Sequence, residues 1–513
     1  MKNIYFIALF FTSLYLYSQP CYNENLVTSA YATGGTGLYK NEILWLTWGG
    51  RGPNGTNLYG TPGVDLADGA KSYASIPLGN EKFLCVEATI QKITSNGIKS
   101  YKPGTYVGDS KDDWYNIGGT DNNNQLISGI INSVDGQTAH FKLICKASIS
   151  GMPVRLKAVV IADAESIDPD NEYIRGKAKG KWKVLEVKKN IGSGAYYVRK
   201  DDVNNIIQFG VGNNKTTAAL AMLRFNNDAY VGNDYEVTTE IAVKGSGLQA
   251  ISLGLVTPEV DFGDAPDYYG FPVHTLEKLD LSADNINALG SFNTPNNLTT
   301  GTWTNDGDAR RTNINTNAYQ PAVILNSPIS YLGSERARHN VFTSLYDVHG
   351  VHADKDGYGT NEEDAWPEIY SRFSYKANFY IPGETVEAII PYYSETDGYV
   401  TAWIDLNGDG KFGSGTFEDV NIDGNGNITK NANTHPEFTF VKVNRDTHGL
   451  AHIQWVVPKN RVNRNTYVRL RIGEFFNEIS SPVSATINGE VEDHKIFIIA
   501  PTTTNSTLLN RVK

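Results

Sequence analysis

Short apolar or alternating runs recur along the whole chain and are separated by segments rich in Gly, Asn and Asp, a pattern that predicts strands joined by turns. Before residue 256 these runs are 43–48, 83–90, 140–149, 154–162, 205–211 and 235–244. After residue 365 they are 374–381, 386–393, 398–404, 437–443, 450–457, 466–472 and 494–500. In the run 466–472, Val468, Leu470 and Ile472 alternate with polar or aromatic positions, which is typical of a half-buried strand. Helical periodicity long enough to build a bundle is absent from the sequence, so we predict an all-β fold.

The spacing of the runs divides the chain. With 513 residues it is too long for one compact core. Residues 21–255 predict an N-terminal β-sandwich, and the seven runs within 366–500 predict an immunoglobulin-like sandwich. Residues 256–365 contain few regular runs and predict a loop-rich Asp/Asn/Gly connector. The polar tail 501–513 is predicted to be disordered.

The first 18 residues read as a secretory signal peptide. Lys2 supplies the positive charge and residues 4–17 the apolar core, with Leu16 and Ser18 at positions −3 and −1 of a cleavage site. The apolar run is short for a membrane span, and no stop-transfer pattern follows it. We therefore expect a secreted protein, extracellular or at the cell surface, without a transmembrane segment after cleavage.

Charge and cysteine content restrict the partners and the chemistry. The formal net charge of −11 disfavours nucleic acid and anionic membranes as partners. Export permits one disulfide among Cys21, Cys85 and Cys145, and the spacing leaves the pairing open. The spacing of cysteines and histidines does not suggest a zinc site.

A candidate metal loop follows the run 398–404. Asp405, Asn407 and Asp409 occupy every second position and precede Gly410, an arrangement of oxygen ligands and tight turn that suits Ca²⁺. An EF-hand would place a glutamate where Thr416 stands, and the nearest carboxylate comes two residues later. The predicted Ca²⁺ site comprises Asp405, Asn407, Asp409, Lys411 and Glu418. The alternative is an Asp/Asn/Gly turn that closes a hairpin without metal.

The densest mixture of aromatic and acidic residues is the loop 103–119. Flat apolar rings beside fixed polar groups form a binding face for a sugar or a peptide side chain. The predicted ligand-binding residues are Tyr106, Asp109, Asp112, Trp114, Tyr115 and Asn116. The alternative is that Trp114 and Tyr115 are core residues at the start of a strand.

Three segments of the first region resemble a known family. They are YATGGTGLYKNEILWLTWGG at 31–50, WYNIGG at 114–119 and GMPVRLKAVVIADAES at 151–166. Together they resemble the adhesive non-repetitive domain of CshA-type fibrillar adhesins. The resemblance implies a legume-lectin-like β-sandwich over most of 25–250 and a role in binding a host or partner cell.

The C-terminal region resembles a GEVED domain of bacterial surface proteins. The resemblance rests on the segments AWIDLNGDGKF, YVRLRIG and the sequence GEVED itself at 489–493. DFGDAPD at 261–267 resembles the segment that usually precedes such domains. The family continues GEVEDY, where this chain has His494. Glu490, Glu492 and Asp493 are expected to pin the last strand to its neighbours, for instance against Arg469 or Arg471, rather than to bind metal.

These features favour a cell-surface adhesin whose partner is a glycan, an extracellular-matrix protein or a cell-surface protein. A secreted carbohydrate-binding accessory module or carbohydrate-active enzyme is the first alternative, and a structural matrix protein without ligand is the second. The motifs G-x-S-x-G and H-E-x-x-H and a phosphate-binding glycine loop are absent from the sequence. Paired carboxylates for glycoside cleavage need not be close in sequence. We expect a protein that is not an enzyme.

Overall fold

A computed structural model of the chain is nearly all β, with antiparallel sheets that confirm the predicted fold class. The structure describes residues 21–22, 26, 28–51, 60–79, 82–101, 114–116, 129–163, 167, 172–188, 196–210, 218–258, 260–263, 265–275, 277–286, 311–314, 318–333, 365–366, 376–379, 385–413, 420–422, 428–430, 437–456 and 464–499. Within those residues, no helix is both long enough and apolar enough to cross a membrane.

The N-terminal part, here called the front sandwich, contains β1 Ala30–Tyr31, β2 Ile43–Leu46, β3 Lys71–Gly79, β4 Lys82–Lys92, β5 Ile98–Tyr101, β6 Gly129–Asn132, β7 Thr138–Ile149, β8 Met152–Val154, β9 Ala158–Asp163, β10 Tyr173–Lys177, β11 Gly180–Lys188, β12 Tyr197–Asp201, β13 Ile206–Gly210, β14 Ala218–Phe225, β15 Val237–Lys244 and β16 Ala250–Val256. A 3₁₀ turn, Asn227–Ala229, precedes β15.

Two sheets make up the front sandwich. The first orders its strands β1-β2-β16-β9-β14-β11, with β6 and then β5 attached to β16, and the second runs β12-β13-β10-β15-β7-β4-β3. Leu44 and Leu253 of the first sheet and Phe141 and Val243 of the second belong to one buried cluster between them. Burying a side chain of this kind contributes roughly 1.5–3 kcal/mol, so this apolar layer holds the two sheets together.

The segment after β16 contains β17 Val260–Asp261, β18 Val273–Thr275, β19 Glu277–Leu281, β20 Arg311–Asn313, β21 Ile324–Pro328 and β22 Ser330–Leu332, with a 3₁₀ turn at Asp267–Tyr269. β20 extends the second front sheet beside β12, and β19 pairs with β21. Leu279 of β19 and Ala322, which precedes β21, pack on the outer face of the first front sheet. The described parts of the predicted connector are therefore structural additions to the two sandwiches.

The C-terminal part contains β23 Lys376–Phe379, β24 Thr385–Ser394, β25 Gly398–Ile404, β26 Val420–Ile422, β27 Ile428–Lys430, β28 Phe438–Val443, β29 Asp446–Val456, β30 Arg464–Gly473, α1 Phe476–Ile479, β31 Ala485–Thr486 and β32 Glu490–Ile499. The sheets β22-β24-β29 and β23-β32-β30-β25-β28 face each other and form the rear sandwich. Ile390 and Ile453 of one sheet share a core with Val400, Leu470 and Ile496 of the other.

Residues 260–263 and 265–275, here called the strap, join the two sandwiches. Its first strand β17 pairs with β18, and β18 pairs in parallel with β31 of the rear part. Ala265 and Tyr269 of the strap pack with Trp403 and Tyr467 on the outer face of the five-stranded rear sheet. Both faces of that sheet are therefore covered.

A disulfide links Cys21 to Cys85 across a Cα–Cα distance of 5.8 Å, while Cys145 is a buried free thiol. The bond ties the start of the described chain to strand β4 of the second front sheet. This resolves the pairing that the sequence left open.

Candidate functional site

The two described aromatic residues of the predicted ligand loop lie in the interior. Trp114 is 7% exposed and Tyr115 is fully buried, and the Tyr115 ring lies 5.1 Å from the ring of Trp45. Asn116 pairs through its backbone with Gly34. This burial does not fit an exposed stacking platform, because both rings help to cover the outer face of the first front sheet. It favours the core interpretation instead.

The other predicted ligand residues, Tyr106, Asp109 and Asp112, lie outside the described residues. Their role in ligand binding stays a prediction.

Beneath these rings lies a buried carboxyl group. Glu186 accepts hydrogen bonds from the Tyr115 hydroxyl and, at 2.8 Å, from the backbone N–H of Leu38. Burial raises the pKa of Glu186 to about 7; the Leu38 hydrogen bond opposes this effect and nearby Glu42 adds to it. The contact ties residues 38–39 and 114–116 to strand β11, so its role is to hold the N-terminal segment on the sheet.

The predicted calcium loop is a tight turn held by its own oxygen atoms. Asp405 is buried and accepts from the backbone N–H groups of Gly408 and Gly410, the latter at 3.1 Å. Asn407 Oδ1 accepts from the N–H of Asp409 at 2.7 Å. Asp409 Oδ1 in turn accepts from the N–H of Lys411 at 2.9 Å. Gly410 has φ +81°, a backbone region that side chains disfavour, which explains the glycine at this position.

The same loop is anchored on both sides. Glu437 accepts from the N–H groups of Leu406, Asn407 and Gly413, each at 3.0 Å. The Tyr269 hydroxyl of the strap donates to Asp405 Oδ2 at 2.6 Å. The loop is thus fixed to strand β28 and to the strap.

These oxygen atoms are of the type that Ca²⁺ requires, but their hydrogen bonds already satisfy a metal-free turn. Among the described residues, no three His, Cys, Asp or Glu side chains are grouped so that they could hold a metal ion. Glu418 lies outside the described residues. Calcium binding at this loop therefore stays a prediction.

The GEVED sequence fastens three distant segments to strand β32. Glu490 Oε2 accepts from the N–H of Leu332 at 2.6 Å, and Glu492 Oε2 from that of Ala365 at 2.8 Å. Asp493 Oδ2 accepts from the N–H of Ala265 at 2.7 Å. The role of these carboxylates in the structure is to hold the segment at Ala265, the segment at Ala365 and strand β22 against β32.

Two buried arginines complete the contacts of the GEVED sequence with the strap, here called the anchor. Arg469 forms a bidentate ion pair with Asp493, with Nε–Oδ1 and Nη2–Oδ2 distances of 2.8 and 2.7 Å. Its Nη1 donates to the carbonyls of Gly270 and Pro482. Arg471 Nε donates to His274 Nε2 of the strap at 2.8 Å. The expected contact between GEVED and Arg469 is thus present.

Glycine is required at two positions of the anchor. Gly489 has φ +98°, and a Cβ there would lie 1.8 Å from the carbonyl oxygen of Ile472. Gly263 has φ +70°, and its Cβ would lie 2.6 Å from Asp493 Oδ2. Gly263 of DFGDAPD therefore permits the close approach of the strap to β32, and Gly489 of GEVED permits the close approach of the start of β32 to β30.

A row of four polar side chains, interrupted by Ala242, crosses the second front sheet on the face turned away from the core. In register across β12, β13, β10, β15 and β7 lie Arg199, Gln208, Arg175, Ala242 and His140. All are buried, with exposed fractions of 5% or less. Neighbouring strands are about 4.8 Å apart, so His140 and Arg175 lie about 10 Å apart on either side of the small side chain of Ala242.

Two members of this row have polar atoms that the fold does not use. Both ring nitrogens of His140 and the Nε2 of Gln208 have no hydrogen-bond partner within the described part of the chain, and the nearest ionic contact of the imidazole is Glu240 Oε2 at 4.0 Å from His140 Nε2. Gln208 Oε1 accepts from Arg175 Nε. Burial lowers the pKa of His140 to about 4, with further contributions from Arg175, Lys142 and Lys177, so the imidazole is neutral at physiological pH.

Sequence reasoning missed this row. The available signal was the alternation within short segments such as YIRGK at 173–177 and IIQFG at 206–210, where a polar residue stands between apolar ones. That signal does not say that the outward face is buried, because burial there depends on packing between distant parts of the chain.

Comparison with known protein families matches both sandwiches. Residues 41–256 match the family model of the surface adhesin CshA non-repetitive domain 2, and residues 399–497 match that of the GEVED domain. Both families are non-enzymatic in kind. The adhesin family supports a general role in adhesion and an extracellular or cell-surface location.

No curated protein matches the chain. A family 123 glycoside hydrolase from Clostridium perfringens is a similar solved structure at 8% identity and a TM-score of 0.15, covering 25% of this chain and 23% of that one. The ASH/PapD-like domain of human CEP192 is similar at 11% identity and a TM-score of 0.13, covering 25% of this chain and 84% of that one. The chain thus spans about a quarter of the length of the glycoside hydrolase. Likenesses this low carry no functional argument. The two family matches show instead that the chain carries a surface adhesin CshA non-repetitive domain 2, followed by a GEVED domain.

Proposed function

We propose that this protein is a secreted bacterial cell-surface adhesin whose front sandwich binds a glycan or a matrix or cell-surface protein. The GEVED domain would act as a stalk or spacer stabilised by Ca²⁺. The observation that carries the proposal is the match of residues 41–256 to the family model of a surface adhesin domain. The polar row supplies the candidate contacts, because His140 and Gln208 hold hydrogen-bonding atoms without a described partner; both side chains are buried in this structure, so a ligand must displace what covers them.

These atoms suit a polar ligand. A buried donor or acceptor without a partner costs roughly 1–3 kcal/mol, and a ligand that supplies the partner recovers that free energy. The neutral imidazole of His140 can donate through one nitrogen and accept through the other, and the Gln208 amide can donate. Hydroxyl groups of a sugar and amide groups of a peptide both complement this set.

The rear sandwich suits a mechanical role. Its connection to the front sandwich includes the parallel pairing of β18 with β31 and the buried contacts of Arg469 and Arg471 with the strap. Oxygen side chains at 405, 407 and 409 would give Ca²⁺ a place to stiffen the loop that touches Tyr269 of the strap.

The test is binding of the full chain to a glycan array and to a panel of immobilised matrix proteins, with the supernatant analysed for cleavage products. Saturable binding without product supports the adhesin. Release of product would instead indicate a carbohydrate-active enzyme. Absence of both binding and product would indicate a structural matrix protein.

Variants locate the site. His140→Ala and Gln208→Ala should each weaken binding by about tenfold, because each removes a buried hydrogen bond to the ligand. The matched control is Gln91→Ala, an exposed glutamine on the same face of the same sheet. Equal binding by all three variants would exclude this face.

A further inference from the structure

A cavity of about 390 Å³ lies where the two sandwiches meet. Its walls come from the ends of β9 and β14, from strand β19 and from turns of the rear sandwich. The sandwiches are held beside it by the pairing of β18 with β31 and by an ion pair of 3.2 Å between Arg155 and Glu478. The volume is within the range of about 300–1,000 Å³ that is usual for small-ligand sites, which often lie between domains.

One side of the cavity, formed by the front sandwich and β19, is cationic. Arg155, Lys157, Arg224 and Lys278 line that side, and the rear sandwich adds Arg445 beside the two lining carboxylates. This concentration of positive charge occurs in a chain whose formal net charge is −11. A cleft lined by one sign of charge raises the local concentration of the opposite sign, so the cavity favours anions.

Internal ion pairs leave part of that charge available. Arg155 is held by Glu478 and lies against the rings of Tyr230 and Tyr235, so its role is structural. Arg224 and Lys278 share a single described carboxylate, that of Asp280. The side chains of Arg224 and Lys278 are 43% and 41% exposed, so their charged ends are accessible to a ligand.

The opposite side carries hydrogen-bond acceptors. Glu395 and Glu474 belong to the rear sandwich, and Glu474 Oε2 accepts from the amide of Asn488 at 3.4 Å. Carboxylates are strong acceptors for hydroxyl groups. A ligand that fits both sides therefore needs an anionic group at one end and hydroxyl groups at the other.

We infer that this cavity binds an acidic sugar unit, with its carboxylate or sulfate group at Arg224 and Lys278 and its hydroxyl groups at Glu395 and Glu474. This goes beyond the proposed function, which places a ligand on the front sandwich alone. The two sites are separate, and each stands without the other.

Isothermal titration of the full chain with glucuronate, glucose 6-sulfate and glucose tests the inference at fixed, low ionic strength. We expect saturable binding of at least one acidic sugar and at least tenfold weaker binding of glucose. Comparison of the titrations with glucuronate and with glucose 6-sulfate shows whether the cavity prefers a carboxylate or a sulfate group. Equal binding of glucose, or no saturable binding of either acidic sugar at millimolar concentration, would overturn the inference.

The double variant Arg224→Gln/Lys278→Gln should lower the affinity for the acidic sugar by at least tenfold. Its matched control is Lys71→Gln/Lys146→Gln, because those two exposed lysines flank the carboxylate of Glu87 outside the cavity in the same way. Equal losses in both double variants would show a general effect of net charge and overturn the site.

Two further variants complete the test. Glu474→Leu removes a hydroxyl acceptor together with a negative charge, so the affinity for the acidic sugar relative to that for acetate should fall, since acetate has no hydroxyl groups. An unchanged ratio of the two affinities would overturn the placement of the hydroxyl groups. His140→Ala, which tests the front face, should leave the titrations unchanged. Loss of acidic-sugar binding in His140→Ala would place the sugar on the front sandwich and refute the cavity.

Discussion

Replacing Asp493 by asparagine removes the carboxylate that faces Arg469 beneath the strap. Both side chains are fully buried, and the pair is joined by two hydrogen bonds of 2.7–2.8 Å. The asparagine oxygen can still accept from the N–H of Ala265, so the perturbation is mainly electrostatic. Arg469 is left as a buried charge without its counter-ion.

The expected loss is large. Removing one partner of a buried ion pair typically costs about 3–5 kcal/mol, because the remaining charge is desolvated and uncompensated. For a domain of roughly 100 residues, 1 kcal/mol shifts the melting temperature by about 4 °C. We therefore expect the melting transition of the rear sandwich to fall by on the order of 10 °C or more.

Differential scanning calorimetry of the full chain measures this shift, and hydrogen exchange of strands β30 and β32 assigns the transition. The matched control is Asp280→Asn, which breaks a half-exposed contact with Arg224 and should cost at most about 1 kcal/mol. If Asp493→Asn melts within 2–3 °C of the control, the buried pair does not stabilise the junction and the reasoning is refuted.

Three further outcomes are expected. Burial raises the pKa of the Glu186 carboxyl from 4.5 to about 7, so its ionisation costs the parent protein stability as the pH rises through this range. Glu186→Gln should therefore become more stable relative to the parent by up to about 3 kcal/mol between pH 4.5 and pH 7, and the difference should then level off. Denaturant titrations across this range measure the difference, and a constant difference would contradict the prediction. Lys200→Met leaves the Asp284 carboxylate, 2.7 Å away, buried without its partner, so urea unfolding should show a loss of about 3–5 kcal/mol from the front sandwich; a loss under 1 kcal/mol would argue against a stabilising pair. Millimolar Ca²⁺ should raise the melting temperature of the rear sandwich, and Asp409→Asn should reduce the increase. An unchanged melting temperature would contradict calcium binding at this loop.

Much of the fold could be predicted from local pattern. The run 398–404 coincides with β25, and 437–443 and 466–472 lie within one or two residues of β28 and β30. These strands have one face in the core, so apolar alternation marks them. Strand β14, with AALAMLRF, was missed because both of its faces are buried and its alanines and leucines also suit helices.

The outward faces could not be predicted in the same way. Arg469 and Arg471 alternate with apolar residues as solvent-facing positions would, yet both are fully buried. The strap covers them, and it comes from residues about 200 positions earlier in the chain. Trp114 and Tyr115 illustrate the converse: their composition suggested a binding face, but packing against the outer face of the first front sheet buries them. Local sequence carries no signal for such long-range coverage.

The most direct test of the central claim is recovery of a ligand after it has been held by the protein. A glycan or matrix protein captured by the immobilised full chain would be released with denaturant and its mass compared with that of the input. An adhesin that holds its partner without chemical change returns the input mass quantitatively, and His140→Ala captures less of it. A shortened or modified ligand, accumulating with time and protein concentration, would contradict the account.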